Sequence, residues 1–192
     1  AQKAEGLIGI LIDASQRHDV PLTQQRLMAW HRALFPAGMS GFHEITTGAW
    51  RTGPMAVVGG RAGSEHIHFE AVPADRVSRE MERFLEWFNA PPGDMDGIIR
   101  AGCAHFWFVT IHPFEDGNGR IARAITDLAV AQDDQLRIRC YSMSQQILAR
   151  RKEYYAVLER TQKGSGDITE WIHWFLGCFL NAIEYSDVLL QG

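Results

Sequence analysis

Between His112 and Arg123 the chain sets an imidazole, a carboxylate, a glycine-framed turn and two guanidiniums close together. The stretch reads His112-Pro113-Phe114-Glu115-Asp116-Gly117-Asn118-Gly119-Arg120, with Arg123 following. These are groups that phosphate chemistry uses. Gly117 and Gly119 free the backbone for positive φ and for close approach by a ligand. Successive amides can then turn inward as an anion nest at the positive end of a following helix. Arg120 and Arg123 are neighbours on the surface of that helix. Two adjacent guanidiniums repel unless an anion lies between them, and a di- or triphosphate satisfies both with bidentate hydrogen bonds.

Asp116, just before the nest, is a lone carboxylate. It suits Mg²⁺, which binds through one or two carboxylates plus substrate phosphates. Asn118 has two readings: it caps the new helix, or it donates its amide to a phosphate oxygen. Phe114 is expected to point into the core and anchor the loop. His112 stands at the rim, where a neutral imidazole can accept a proton near pH 7. The reaction such a cradle suits is attack by a hydroxyl on phosphorus, with charge developing on the leaving phosphates. Taken singly, each part has a plainer reading: a helix-end histidine capping carbonyls, a common turn, an arginine pair in surface salt bridges. Together in so short a stretch they favour a site.

The elements that must position these groups are mostly helical. Leu7, Ile8, Leu11 and Ile12 recur at helical spacing before Pro21, and Leu27, Trp30, His31 and Leu34 mark a second helix ending near Pro36-Ala37-Gly38. Val77, Met81, Phe84, Leu85 and Phe88 form a stripe that stops at Pro91-Pro92-Gly93. From Asp96 to Ile111 the sequence is apolar nearly all round, which predicts a buried central helix running straight into His112. Ile121, Ile125, Leu128 and Ala129 mark the helix after the motif. Ile147, Leu148, Arg151, Tyr154, Tyr155 and Leu158 predict one further helix, and Trp171 to Ile183 the last. Only Met55-Ala56-Val57-Val58 and His66-Ile67-His68-Phe69 look extended. They flank Gly59-Gly60-Arg61-Ala62-Gly63, which predicts a β-hairpin with a loop longer than a tight turn. The fold class expected is mainly α, a helical bundle around a buried central helix with a small hairpin, in a single domain over 1–192.

Composition narrows the partners. The chain has 192 residues, 46% hydrophobic and 22% charged, with a net charge of -4. That is an ordinary globular balance, and it argues against a general nucleic-acid binder, whose backbone contacts need a basic surface. Cys103, Cys140 and Cys178 are scattered and form no CxxC pair, so a disulfide framework is not expected and a reducing, cytoplasmic compartment fits. No apolar run reaches the ~20 residues of a membrane span. His66 and His68 share a strand face, but alternate residues do so without a metal.

The stretch from His112 to Arg123 resembles the signature of the Fic family, HxFx(D/E)GNGRxxR, at every fixed position. The resemblance extends to Gly48-Ala49-Trp50-Arg51, to the hairpin as far as Phe69, to Trp107-Phe108-Val109-Thr110-Ile111, to the Arg151–Leu158 segment and to Asp167-Ile168-Thr169-Glu170-Trp171. It implies the Fic fold and nucleotidyl transfer, usually AMPylation. AMP moves from ATP, bound with Mg²⁺, to a Ser, Thr or Tyr hydroxyl of a target protein, and pyrophosphate is released. By motif position, His112 would be the general base and Asp116 the Mg²⁺ ligand. Gly117, Asn118 and Gly119 would hold the α- and β-phosphates, Arg120 the β-phosphate region and Arg123 the γ-phosphate.

The hairpin resembles the family's flap, which holds the target as an added strand, and Val57, Val58, Ile67 and Phe69 are the candidate clamp. Packing on the core is an equal reading of those side chains. Tyr154 and Tyr155 could stack near adenine or simply pack as core; Tyr155 is the candidate nucleotide contact. Many relatives carry an inhibitory helix, (S/T)xxxE(G/N). Here Glu5-Gly6 is the one Glu-Gly pair, and Ala1 stands where Ser or Thr would. The family context implies an inhibitor upstream of this chain or on another polypeptide. A homodimer is compatible. The alternatives to AMP transfer are transfer of another phosphate-containing group, or a non-catalytic nucleotide-sensing module.

Overall fold

The computed structural model describes residues 2–61, 64–91, 93–134 and 143–191. The helices are α1 (Gln2–Gln16), α2 (Gln24–Leu34), α3 (Val77–Asn89), α4 (Gly97–Ile111), α5 (Asn118–Asp134), α6 (Met143–Ala149), α7 (Arg151–Gln162) and α8 (Thr169–Gln191). Two short antiparallel ribbons interrupt them: β1 (Met39–Ser40) with β2 (His43–Glu44), and β3 (Ala56–Arg61) with β4 (Ser64–Glu70). The chain packs as two compact units, 1–55 with 71–137 and 56–70 with 138–192. The mainly helical class with a small antiparallel hairpin is as the sequence predicts.

In the first unit α4 is the centre. None of its residues is exposed, as its apolar circumference predicts. Its small residues Ala101 and Ala104 are buried, as are Ala122, Ala124 and Ala129 of the neighbouring α5. Ala and Gly let helix backbones approach closely: a Cβ on Gly97 would meet the Asp133 carboxyl carbon at 2.0 Å. Asp96 caps α4 by accepting from the N–H groups of Ile98 and Ile99. The α3 stripe buries Val77, Met81, Phe84 and Phe88. Arg100, 7% exposed, ties α3 to α5 by donating to the carbonyls of Phe88 and Ala129 and to Gln132. Gly6 meets α2 so closely that a Cβ there would lie 1.9 Å from the Ala33 carbonyl oxygen. The Glu5-Gly6 pair is therefore part of a helix contact.

The second unit holds β3–β4 and α6 to α8. Its aromatic core joins Tyr154 of α7 to Trp171 and Trp174 of α8. The single helix predicted over 147–158 is two. Arg150, at φ -105 and ψ 30, separates α6 from α7. Its guanidinium is held by Glu153, lies over the Trp174 ring at 5.5 Å and donates to Cys178 Sγ at 3.6 Å. The apolar period runs on through the break, so periodicity gave no sign of it. The hairpin also differs from expectation. Pairing continues to Arg61 opposite Ser64, with Gly59 and Gly60 inside β3 rather than in the loop; positions 62–63 lie outside the described residues. Cys103 is half-buried and Cys178 buried, and burial pushes both thiols up. Cys140 lies outside the described residues.

Candidate functional site

The chain leaves α4 through an unusual residue. His112 has φ 52 and ψ 59, the one positive φ at a non-glycine residue among those described. A left-handed residue closes a helix by turning its N–H back, and His112 N–H donates to Phe108 O. That conformation costs a non-glycine residue ~1–2 kcal/mol, so the surroundings must hold it. Arg51, 2% exposed, does so. Its Nε donates to His112 O at 2.7 Å, its other nitrogens to Ile111 O, Gly53 O and Val72 O, and its own N–H to Pro113 O at 2.8 Å. One buried guanidinium thus satisfies the carbonyls at the end of α4.

The His112 ring is fixed as well. Nδ1 lies 3.1 Å from Val109 O. A carbonyl only accepts, so Nδ1 carries the proton and Nε2 presents its lone pair. Burial first, and then the Arg51 charge, push its pKa below the usual histidine value, while the Val109 carbonyl and Asp116 act the other way. The ring is a neutral base at pH 7.

From His112 the chain turns into α5. Phe114 is fully buried, as expected, against His31 and Trp50. Asn118 resolves its two readings in favour of neither. Its Oδ1 accepts from Phe114 N–H at 3.0 Å and its Nδ2 donates to Phe114 O at 2.8 Å. At 2% exposure, with both polar ends engaged, the side chain braces the loop, so neither the helix-cap role nor the amide-to-phosphate role is the one it takes. Its backbone is another matter. The N–H groups of Asn118 and Gly119 find no acceptor among the described residues, at the start of α5. Gly117 is required twice over: φ is +85, and a Cβ would lie 2.9 Å from the Phe35 ring.

Asp116 Oδ1 accepts from Gly117 N–H at 2.5 Å and Oδ2 from the Ser40 hydroxyl. Arg120 lies 3.5 Å from Oδ2, with its guanidinium over the Phe35 ring at 4.7 Å. Arg123 is half-buried, and its guanidinium passes 3.6 Å from where a Gly119 Cβ would be. The orphan amides, Asp116 and both arginines therefore gather at one helix start. No group of three or more His, Cys, Asp or Glu able to hold a metal exists among the described residues. A half-exposed single carboxylate beside an anion nest still fits a cation that brings phosphate ligands with it.

Two supporting residues escaped the sequence reading. His31, fully buried, accepts from Gly48 N–H at Nδ1 (2.9 Å), so its Nε2–H donates to Asp116 O at 3.1 Å. It stacks on Phe114 with centroids 4.1 Å apart and planes 5° apart. Its helical spacing made it look like any core position. In the sequence Arg51 stands out only within Gly48-Ala49-Trp50-Arg51. In both cases the partner is distant in sequence, which spacing cannot reveal.

The remaining candidates lie in the second unit. In the hairpin Val57 pairs with Phe69 and Val58 with Ile67, across a register shift between Val57 and Val58. Val57 and Phe69 are half-buried and Ile67 is 49% exposed; the side chains of Val58, His66 and His68 lie outside the described residues. The sheet has two strands, so each has an edge without a strand partner among the described residues. Tyr155 is half-buried on α7, edge-on to Tyr154 and under the Arg151 guanidinium. No described helix is long and apolar enough to cross a membrane.

Comparisons with known proteins bear on the family and the fold. The model of the Fic/DOC family matches residues 21–130. Protein adenylyltransferase fic-1 of Caenorhabditis elegans is 38% identical over 61 residues, 31% of this chain and 12% of that protein. Protein adenylyltransferase Fic of Nematostella vectensis is 29% identical over 145 residues, 74% of this chain and 30% of that protein. The chain thus spans less than a third of these curated relatives. A Fic family protein from Desulfovibrio desulfuricans G20 superposes with a TM-score of 0.78 at 25% identity, over 100% of this chain and 54% of that one. Residues 134–508 of Fic-1 from C. elegans give 0.74 at 21% identity, over 99% of this chain and 51% of that one.

Proposed function

The chain belongs to the Fic/DOC family, and from that premise we propose that it is a protein adenylyltransferase, moving AMP from ATP to a Ser, Thr or Tyr hydroxyl of a target protein. The observation that carries this is the His112 ring, its Nδ1 committed to Val109 O and its Nε2 lone pair presented. Nε2 takes the proton of the acceptor hydroxyl, and that oxygen bonds to the α-phosphorus. The bond from this phosphorus to the α–β bridging oxygen breaks. Pyrophosphate leaves with the electron pair, and AMP stays esterified to the acceptor.

The charge that develops on the leaving phosphates is met by preset donors, which need no reorganisation during the step. The backbone N–H groups of Asn118 and Gly119, with Gly117 giving room, hold the α- and β-phosphates. Arg120 serves the β-phosphate region and Arg123 the γ-phosphate. Asp116 would hold Mg²⁺, which when bound offsets phosphate charge. Tyr155 is the candidate contact for adenine. The acceptor segment adds as a strand to a free edge of β3–β4, with Val57, Val58, Ile67 and Phe69 gripping its side chains. Restraint of activity would come from an inhibitory helix outside the chain.

The relatives support this reading, since they are named protein adenylyltransferases. The test is intact-mass analysis of the protein and of added lysate proteins after incubation with Mg²⁺ and each nucleoside triphosphate separately. The expected product carries the mass of one AMP with ATP. A phosphoryl mass, or a preference for another nucleotide, would reassign the group transferred. ATP binding with no transfer to any protein would favour the sensing module.

A further inference from the structure

The β1–β2 ribbon has no place in the proposed chemistry, yet it is fastened to the motif at two points. Ser40 Oγ donates to Asp116 Oδ2, and Thr46 N–H, just beyond β2, donates to Glu115 Oε2 at 2.9 Å. The ribbon closes through Gly41 and Phe42, between Ser40 and its partner His43. Gly41 has φ +59 at the first central position, as a two-residue type II′ connection requires. Residues 41–44 are exposed, Phe42 to 98%, so little packing holds this ribbon in place. The fastenings to 115 and 116 add to the Gly38 N–H bond to Phe35 O at its root.

A carboxylate has about four lone-pair directions. On Asp116, Oδ1 takes Gly117 N–H, while Oδ2 takes the Ser40 hydroxyl with Arg120 3.5 Å away. Acceptor capacity for a cation is left on Oδ1. The side chain is 45% exposed, and an exposed aspartate without the hydroxyl would be free to rotate or to swing fully onto Arg120. Groups that orient a metal ligand matter nearly as much as the ligand, typically 10–100-fold in affinity.

Resting on the nucleotide-binding reading above, we infer that Ser40 is a positioning residue for the Asp116 carboxylate: its hydroxyl, presented by the ribbon, holds Oδ2 so that Oδ1 meets a divalent cation arriving with the nucleotide. Ser40 touches neither reacting atom. Its effect is confined to the cation, which separates it from a merely structural role.

The test is calorimetric titration of ATP into the protein across a series of Mg²⁺ concentrations, with thermal melting of the free protein alongside. Ser40→Ala should raise the Mg²⁺ needed for half-maximal ATP binding about tenfold, leaving the free protein's melting and Mg²⁺-independent ATP binding close to the parent. Ser40→Thr, which keeps the hydroxyl, should restore the parent midpoint. Phe42→Ala, on the same ribbon but away from Asp116, should leave it unchanged. An unshifted midpoint in Ser40→Ala overturns the inference. So does equal weakening with and without Mg²⁺, or an equal shift in Phe42→Ala, because each assigns the ribbon a bracing role only. If the parent binds no ATP at any Mg²⁺ concentration, the nucleotide-binding reading fails instead, whereas parent binding that ignores Mg²⁺ overturns the inference.

Discussion

At the scale of single residues the account turns on His112 and what holds it. Replacing Arg51 with Met would leave the carbonyls of Ile111, His112 and Val72 short of a donor. Unsatisfied buried groups cost ~1–3 kcal/mol each, so urea denaturation should show a loss of about 3 kcal/mol or more. The same change removes the positive charge that lowers the His112 pKa. With the base easier to protonate, the acid limb of kcat/KM should move to higher pH; an unmoved limb would mean that Arg51 only supports the fold. The sequence made His112, Asp116, Gly117, Arg120 and Arg123 legible because their types and spacing have few other uses. It left Asn118 open because an amide can face either way, and only the buried Phe114 backbone settles it. Arg51 and His31 were silent because they act on partners 61 and 85 residues away.

Among elements, the junction of α4 and α5 does most. The long apolar run predicted α4 well, since a helix with no polar face has to be central. The β1–β2 ribbon was illegible, as its two-residue strands are too short for an alternating pattern to emerge. The α6–α7 break was hidden by unbroken periodicity. Gly117→Ala tests the junction itself. A left-handed backbone and a methyl 2.9 Å from the Phe35 ring should together cost about 2 kcal/mol or more. ATP binding should fall with the distorted nest, measured by calorimetry at a temperature where the variant stays folded. Undiminished affinity in a folded Gly117→Ala protein would remove the backbone nest from the account.

At the scale of the whole molecule, burial keeps three histidines neutral among the described residues. His105, fully buried, donates from Nδ1 to Thr126 Oγ, whose own proton goes to Ala122 O. Its pKa is pushed down to about 3, and those of His31 and His112 are lowered as well. When unfolded, these rings bind protons near pH 6.5. Their contribution to stability is therefore complete above that pH and is lost as pH falls from about 6.5 toward 3. The lowered carboxyl of Asp13 adds its own loss only below the ordinary carboxylate range. Melting temperature should thus already decline between pH 6.5 and 4.5, and a flat profile there would contradict neutral burial of the three rings. The most direct check of the central claim compares ATP labelled at the α- or γ-phosphate, incubated with Mg²⁺, lysate proteins and either the parent chain or His112→Ala. Label should reach protein from the α position alone. His112→Ala should lose ~10²–10⁴-fold in rate while still binding ATP. Equal transfer by His112→Ala, or transfer of the γ label, would contradict a neutral imidazole delivering a hydroxyl to the α-phosphorus.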